Sequence, residues 1–198
     1  MKDPDLVLEL QKGSLEALGE IYDRHRNLVY RTALVITGDQ EAASDLLQDV
    51  FLRLFRFAER IDWRRPLEPW LYRMTSNLSY TWVKRNSRWT HPLDDITDWI
   101  TNCAAFATKN QPYEAVEKRD DWDQVHKAVL SLPIQQRVVV VLYYLNDLSL
   151  QEISEILDIP IGTVKSRLHY GRKAIKKNLT RNIIPETKKL VDLHYEQP

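Results

Sequence analysis

Residues 148–177 read LSLQEISEILDIPIGTVKSRLHYGRKAIKK and constrain the fold more than any other stretch of this chain. Leu150, Ile153 and Leu157 recur at spacings of three and four, which makes one apolar face on a short helix whose N-cap is Ser149 or a neighbour. Asp158, Ile159 and Pro160 then interrupt it, because Pro160 has no amide to continue the helix and biases Ile159 away from helical angles. Beyond the turn, Val164, Leu168, Gly171 and Ile175 fall within roughly 60° of one another around a second helix. Thr163, Ser166, His169, Tyr170 and Lys173 lie on its opposite side. Two short helices joined this tightly, the second with a buried stripe and a polar outer face, have the layout of a helix-turn-helix. That motif sets the first turns of its second helix in the major groove of DNA. Thr163, Ser166, Arg167 and Tyr170 are the candidates to reach base edges. Lys165, Arg172, Lys173, Lys176 and Lys177 are better placed to neutralise phosphates. One departure is Asp158, where such turns usually have glycine; aspartate tolerates left-handed angles better than most residues.

The formal net charge of zero suits a DNA-binding chain poorly until it is followed along the sequence. Residues 20–90 carry 12 Lys/Arg against 9 Asp/Glu, residues 91–124 carry 3 against 8, and residues 125–181 carry 9 against 4. Two basic modules therefore flank an acidic connector, as expected of a chain that touches nucleic acid at two places. The connector, residues 90–121, contains His91-Pro92 and Gln111-Pro112 with no sustained helical period, and reads as a flexible linker with one short helix near 96–106. A loosely attached tail follows from residue 182, broken by Pro185. The single Cys103 excludes an intramolecular disulfide and a cysteine-cluster metal site. The acidic N-terminus lacks a signal-peptide core, and the longest apolar run, 138–145, is far too short to span a bilayer. A cytoplasmic protein without membrane insertion is expected.

The N-terminal part reads as helices throughout, which makes the chain all-α. Apolar residues recur at Leu18, Ile21, Tyr22, Leu28, Val29, Ala33 and Ile36, and Thr37-Gly38-Asp39 supplies a helix stop followed by an N-cap. Across 40–57, Ala43, Leu46, Leu47, Val50, Leu54 and Phe57 make the next buried stripe, with Asp45, Gln48, Asp49, Leu52, Arg53 and Arg56 projecting away. Asp45 and Asp49 are one turn apart, but no histidine or third carboxylate nearby completes a metal site. The loop 61–67, with Trp63, Arg64 and Arg65, leads into a helix that interleaves Trp70, Tyr72, Arg73, Asn77, Tyr80, Trp82, Lys84 and Arg85. That mixture suits single-stranded nucleic acid, whose bases stack on aromatic rings while cations follow the backbone. Trp70 and its helical neighbours Leu71, Met74 and Leu78 are expected to pack inward.

Three stretches in this order, ASDLLQDVFLRLFRF (43–57), PWLYRMTSNLSYTWVKR (69–85) and LPIQQRVVVVLYYLNDLSLQEISEILDIPIGTVKSRLHYGRKAI (132–175), resemble the extracytoplasmic-function sigma factors of bacterial RNA polymerase. The resemblance spans roughly residues 15–180. It implies two small helical domains: sigma region 2 at 1–89 and sigma region 4 at 122–181. It also makes the valine run 138–141 helical, where propensity alone would give a buried strand. It implies docking of Asp45, Gln48, Asp49, Phe51 and Leu52 on the clamp helices of the polymerase largest subunit, and a further contact with the flap region. It implies that loop 61–67 holds a flipped promoter base and that Asn77 contacts the melted −10 strand, with Trp63, Arg64, Arg65, Arg73, Lys84 and Arg85 around them. Thr163, Lys165, Ser166, Arg167, Tyr170, Arg172 and Lys173 match the surface that reads the −35 element. An anti-sigma protein is an implied partner; a catalytic role, a cofactor and a resident metal are not. Two positions depart from the family pattern, Ser76 for a usual arginine and Thr81 for a usual aspartate.

Two other classes compete. Stand-alone regulators share the LSLQEI and TVK elements of the helix-turn-helix, but a phosphorylated receiver half would alternate strands with helices, and residues 15–85 show helical periods only. A hydrolase or metalloenzyme finds little support in His25, His91, His126, His169 and His194, which are scattered without ligand spacing, and there is no serine elbow or glycine-rich phosphate loop.

Overall fold

The computed structural model describes residues 2–86 and 117–182, with side chains for 2–86 and 124–180, and these residues form helices without a strand among them. The first module holds α1 (Asp3–Gln11), α2 (Leu15–Thr37), α3 (Gln40–Arg56), a 3₁₀ turn (Ala58–Arg60) and α4 (Glu68–Asn86). The second holds α5 (Glu117–Leu130), α6 (Ile134–Tyr144), α7 (Leu150–Leu157) and α8 (Ile161–Asn182). Helix α5 begins at Glu117, within the stretch 90–121 that the sequence reads as the connector. The expected helix near 96–106, the flexible part of the linker and the tail beyond 182 lie outside the described residues.

Local chemistry fixes the ends of these helices. Ser14 caps α2 by accepting the Ala17 amide at 3.2 Å, and α2 stops where Gly38 enters the left-handed region at φ 73°. Asp39 then caps α3 by accepting the Ala42 amide at 2.8 Å, so only Gly38 and Asp39 separate two long helices. The stop at 37–39 is where the sequence predicts it. Helix α1 is not in the sequence reading at all. Its Leu6, Val7 and Leu10 are buried, and they join Ile21, Val29, Val50, Leu54, Ile61, Leu67 and Leu71 in the first core.

The valine run folds as α6, as the family resemblance implies and against its strand propensity. Val138, Val139, Val140, Val141 and Leu142 are all at most 4% exposed, so this stretch of the helix is enclosed. Tertiary enclosure of this kind overrides a local preference worth about 1 kcal/mol. Around α6 pack Ile153 and Ile156 of α7 and Val164 and Leu168 of α8. Gly171 on α8 lets the two helices approach: a Cβ there would lie 2.7 Å from Val140 Cγ2.

The two modules share a seam. The second core continues into the first module through Ile36 of α2 and Tyr72 of α4. The Arg137 guanidinium, 9% exposed, donates to the Ile36 carbonyl at 2.7 Å, to the Leu132 carbonyl at 3.1 Å and to the Leu130 carbonyl. It thereby satisfies orphan carbonyls at the ends of α2 and α5. Asn146, after α6, donates to Thr32 Oγ1 at 3.1 Å, and Leu130 packs against the backbone of Gly38.

Candidate nucleic-acid interface

In the helix-turn-helix, Ser149 and Glu152 close a reciprocal capping box: the Ser149 hydroxyl accepts the Glu152 amide at 3.2 Å, and a Glu152 carboxylate oxygen accepts the Ser149 amide at 2.8 Å. The hydrogen bonds from Ser149 hold the Glu152 carboxyl below its usual range. Asp158 ends α7 in the left-handed region, φ 55° and ψ 50°, taking the conformation that glycine usually supplies. The Ser154 hydroxyl donates to the Ile159 carbonyl at 2.6 Å and locks the turn. The Pro160 carbonyl then accepts the amides of Thr163 and Val164, at 2.8 and 3.1 Å, which starts α8.

That start aims the polar face outward. Lys165, Ser166, Tyr170, Arg172 and Lys173 are exposed, while Thr163 and Arg167 are half-buried. The Ser166 hydroxyl donates to the Thr163 carbonyl at 2.9 Å, which leaves its oxygen as an acceptor for a base or phosphate contact. Arg172 is braced by residues the sequence reading missed. Its Nε donates to the Tyr144 hydroxyl at 2.6 Å, and the guanidinium lies 5.9 and 5.7 Å from the ring centres of Tyr143 and Tyr144.

On the first module, loop 61–67 is anchored at both ends, since Ile61 is 8% and Leu67 1% exposed. Between them, Asp62 accepts the Arg64 amide on its side chain at 3.1 Å and the Arg65 amide on its carbonyl at 3.0 Å, which makes a preformed tight turn. Trp63 packs half its ring on the first core, with the Arg64 guanidinium 5.1 Å from the ring centre, and Arg65 is exposed. Gln11, at the end of α1, donates to the carbonyls of Ala58 and Ile61 at 3.1 and 2.8 Å and sets the loop's position. On α4, Asn77, Lys84 and Arg85 are exposed, and Arg73 reaches Asp158 across the seam at 3.4 Å. Hydrogen bonds from Gln135 and Lys84 hold the Tyr80 phenol below its usual range. Ser76, one of the two departures from the family pattern, is 1% exposed and faces the second module, and its hydroxyl has no hydrogen-bond partner. Thr81, the other, is exposed and donates to the Asn77 carbonyl at 2.8 Å.

The face expected to dock on polymerase needs one correction. Asp45, Gln48 and Leu52 are exposed on α3, and Asp49 pairs with Arg53 at 3.3 Å. Phe51, assigned to the same face, is 5% exposed and sits edge-on against Tyr22, with ring centres 4.9 Å apart. It lies one turn from Leu47 and Leu54 and belongs to their stripe. Phe55, absent from the assignment, is 40% exposed and continues the apolar patch of Leu52.

One group of potential metal ligands exists among the described residues: Asp3, His25 and Glu68 have ligand atoms within 4.8 Å of one another. Chain folding joins them from three helices, beyond what ligand spacing in the sequence can reveal. One Asp3 carboxylate oxygen accepts from Arg24 Nη1 at 2.9 Å and the other lies 2.8 Å from His25 Nε2. Burial opposes ionisation of Asp3, but the hydrogen bonds and charges of Arg24 and His25 prevail and lower its pKa. A guanidinium on the same carboxylate makes this grouping an anchor of α1 to α2 rather than a cation cradle.

Two helical modules, one ending in a helix-turn-helix and the other carrying an aromatic and basic loop, define a promoter-recognition subunit. Residues 21–89 match the family Sigma-70 region 2, and residues 122–175 match Sigma-70, region 4. The chain is 31% identical over 176 residues to the ECF RNA polymerase sigma factor SigW of Bacillus subtilis, covering 87% of this chain and 94% of that one. It therefore belongs to the extracytoplasmic-function sigma factors of RNA polymerase. Among solved structures, the CnrH chain in complex with the cytosolic domain of CnrY shares the fold, with a TM-score of 0.66 at 19% identity over 91% of this chain and 99% of that chain. The sigma factor RpoE in complex with the anti-sigma factor NepR from Bartonella quintana does so at 0.62 and 18% identity, over 84% and 98%.

Proposed function

We propose that this sigma factor binds core RNA polymerase through Asp45, Gln48, Asp49 and Leu52, together with a contact from its second module to the flap region. In this reading residues 1–89 and 122–181 are the two working domains. The second reads duplex −35 DNA with Thr163, Lys165, Ser166, Arg167, Tyr170, Arg172 and Lys173. The first traps melted −10 DNA with Trp63, Arg64, Arg65, Arg73, Asn77, Lys84 and Arg85. The observation that carries the reading is the pair of preformed surfaces: a capped turn that aims the outer face of α8, and an aromatic and basic loop clamped between two buried residues. Extruding a base costs a few kcal/mol, which stacking at about 1–3 kcal/mol per base on a preformed ring can offset. The chain performs no covalent chemistry; its effect is selective binding of DNA states.

The protein acts in the cytoplasm, where core polymerase is. No described helix is long and apolar enough to cross a membrane. Both similar solved chains were captured with a second protein, in one case a named anti-sigma factor, and this supports an anti-sigma partner here.

Run-off transcription from a genomic fragment library, with and without core polymerase, tests the assignment. Transcripts that share a spaced −35/−10 pair are expected only when both are present. Tight duplex binding without polymerase, and no initiation with it, would move a stand-alone regulator to first place. Arg167→Ala should cost about 1–3 kcal/mol and relax the −35 preference, whereas Lys176→Ala should weaken all sequences equally and flatten the salt dependence. Equal loss on every sequence for Arg167→Ala would remove its base-reading role.

A further inference from the structure

Tyr144, the last residue of α6, is absent from the DNA surfaces assigned above, yet it touches one of their cations. Tyr143 beside it is half-buried and packs on the second core. Its ring meets that of Tyr144 edge-on, with centres 4.9 Å apart and planes at 80°. Tyr144 is 53% exposed; its hydroxyl accepts Arg172 Nε at 2.6 Å, and the guanidinium lies 5.9 and 5.7 Å from the ring centres of Tyr143 and Tyr144. The core thus holds Tyr143, Tyr143 backs Tyr144, and both rings hold a cation that belongs to α8.

The place of that cation on α8 says what it meets. At 100° per residue Arg172 shares one flank of the helix with Lys165 and Lys176, all three exposed and within about 40° of one another. This flank runs between the buried Val164 and Leu168 and the outward Ser166 and Lys173. A helix lying in the major groove turns its outer face to the bases and its flanks to the phosphates that wall the groove. An exposed arginine samples many rotamers, and a phosphate contact has to freeze them. Here the hydroxyl bond and the two rings do so before DNA arrives. The Tyr144 bond takes Nε, so a phosphate is met by the Nη pair, a planar fork suited to two oxygens.

We infer that Tyr144, backed by Tyr143, is a positioning residue for promoter binding: it fixes Arg172 as a preorganised clamp on one backbone phosphate beside the −35 bases. The inference rests on the −35 reading proposed above and adds two residues of α6 to it. A phosphate contact carries no sequence information, so the clamp acts on affinity and leaves base choice to the outer face of α8.

Binding across a salt series tests it on two probes: holoenzyme on a promoter fragment recovered by the run-off experiment, and the full chain alone on a random-sequence duplex. Tyr144→Phe, which keeps the ring, should weaken both roughly three- to tenfold, the worth of one hydrogen bond, and leave the −35 base preference unchanged. Arg172→Ala should lower the slope of log affinity against log salt by about one, and Tyr144→Phe should cost nothing further in that background. Arg172→Lys keeps the charge without the Nε bond or the planar group, so it should retain the native slope with an affinity no better than that of Tyr144→Phe. Native affinity for Tyr144→Phe, a native slope for Arg172→Ala, or a further loss in the double variant would each overturn the proposal. So would a relaxed −35 preference in Tyr144→Phe, which would make the bond a strut that orients α8. If the unaltered protein yields no promoter fragment with core, the −35 reading is at fault, and the random-sequence duplex still decides whether Arg172 grips phosphate through Tyr144.

Discussion

Arg137 is the residue on which most of the described fold converges. One guanidinium serves three carbonyls from two helix ends and the loop between α5 and α6, and burial pulls its pKa down to about 10, so it remains charged at neutral pH. Charge-assisted hydrogen bonds contribute about 1.5–3 kcal/mol each, and stranded buried carbonyls add a penalty. Arg137→Ala should therefore lower stability by about 3 kcal/mol or more, read as a shift of the urea midpoint, with Arg137→Lys in between. A loss below about 1 kcal/mol would show that water replaces the guanidinium. The same cation acts on its neighbour. Burial first, then the charges of Arg137 and Lys127, push His126 down to about 4. The unfolded histidine takes up a proton near pH 6.5, the folded one only near 4, so the folded state loses stability as pH falls between those values. The stabilisation is complete above about pH 6.5, and the loss by pH 4 should be about 3 kcal/mol. Urea titrations at both pH values should show that difference in the native chain and a much smaller one in His126→Gln.

At the scale of elements, the position of α8 depends on a missing methyl group. Alanine favours a helix over glycine by about 1 kcal/mol, yet Gly171→Ala should destabilise by about 1–3 kcal/mol, because its Cβ would press on Val140 within a closed core. Pairing it with Val140→Ala should recover part of the loss, a coupling that a double-mutant cycle measures. Helix α1 acts at a distance in a similar way. Gln11→Ala frees the Ala58 and Ile61 carbonyls and loosens the start of loop 61–67, so promoter opening should fall several-fold while −35 duplex binding stays unchanged. Permanganate footprinting of the −10 strand separates the two. The helix-turn-helix was legible in the sequence because its determinants are local: the apolar spacing of Leu150, Ile153 and Leu157 in its first helix, and Asp158 and Pro160 at the turn. Helix α1 was not, since three apolar residues within nine positions mean little until the core that receives them is known. Phe51 was misplaced although its spacing to Leu47 and Leu54 puts it in the buried stripe.

The whole molecule is where sequence reading stopped. Charge along the chain indicated two basic modules and a connector, but nothing local announces that Arg137 reaches a carbonyl 101 residues away. Nor does local pattern tell that Gly38, read as a helix stop, is also the seat of Leu130. The seam draws a few residues from each of several helices far apart in the chain, so no single period or motif encodes it. Its polar parts are short-range hydrogen bonds, and the exposed Arg73–Asp158 pair adds about 1 kcal/mol at most.

That seam bears on how such proteins can be recombined. A hybrid that keeps this first module and takes residues 117–182 from another family member would carry over the donor's base preference. It would inherit the partner of the Ile36 carbonyl only if the donor places a donor group where Arg137 stands, and the neighbour of Gly38 only if it has an apolar side chain where Leu130 stands. Swapped specificity modules built on this chain should therefore differ in basal activity before they differ in promoter choice. Matching residues 130, 137 and 146 to the recipient is the adjustment that would bring them back to a common baseline.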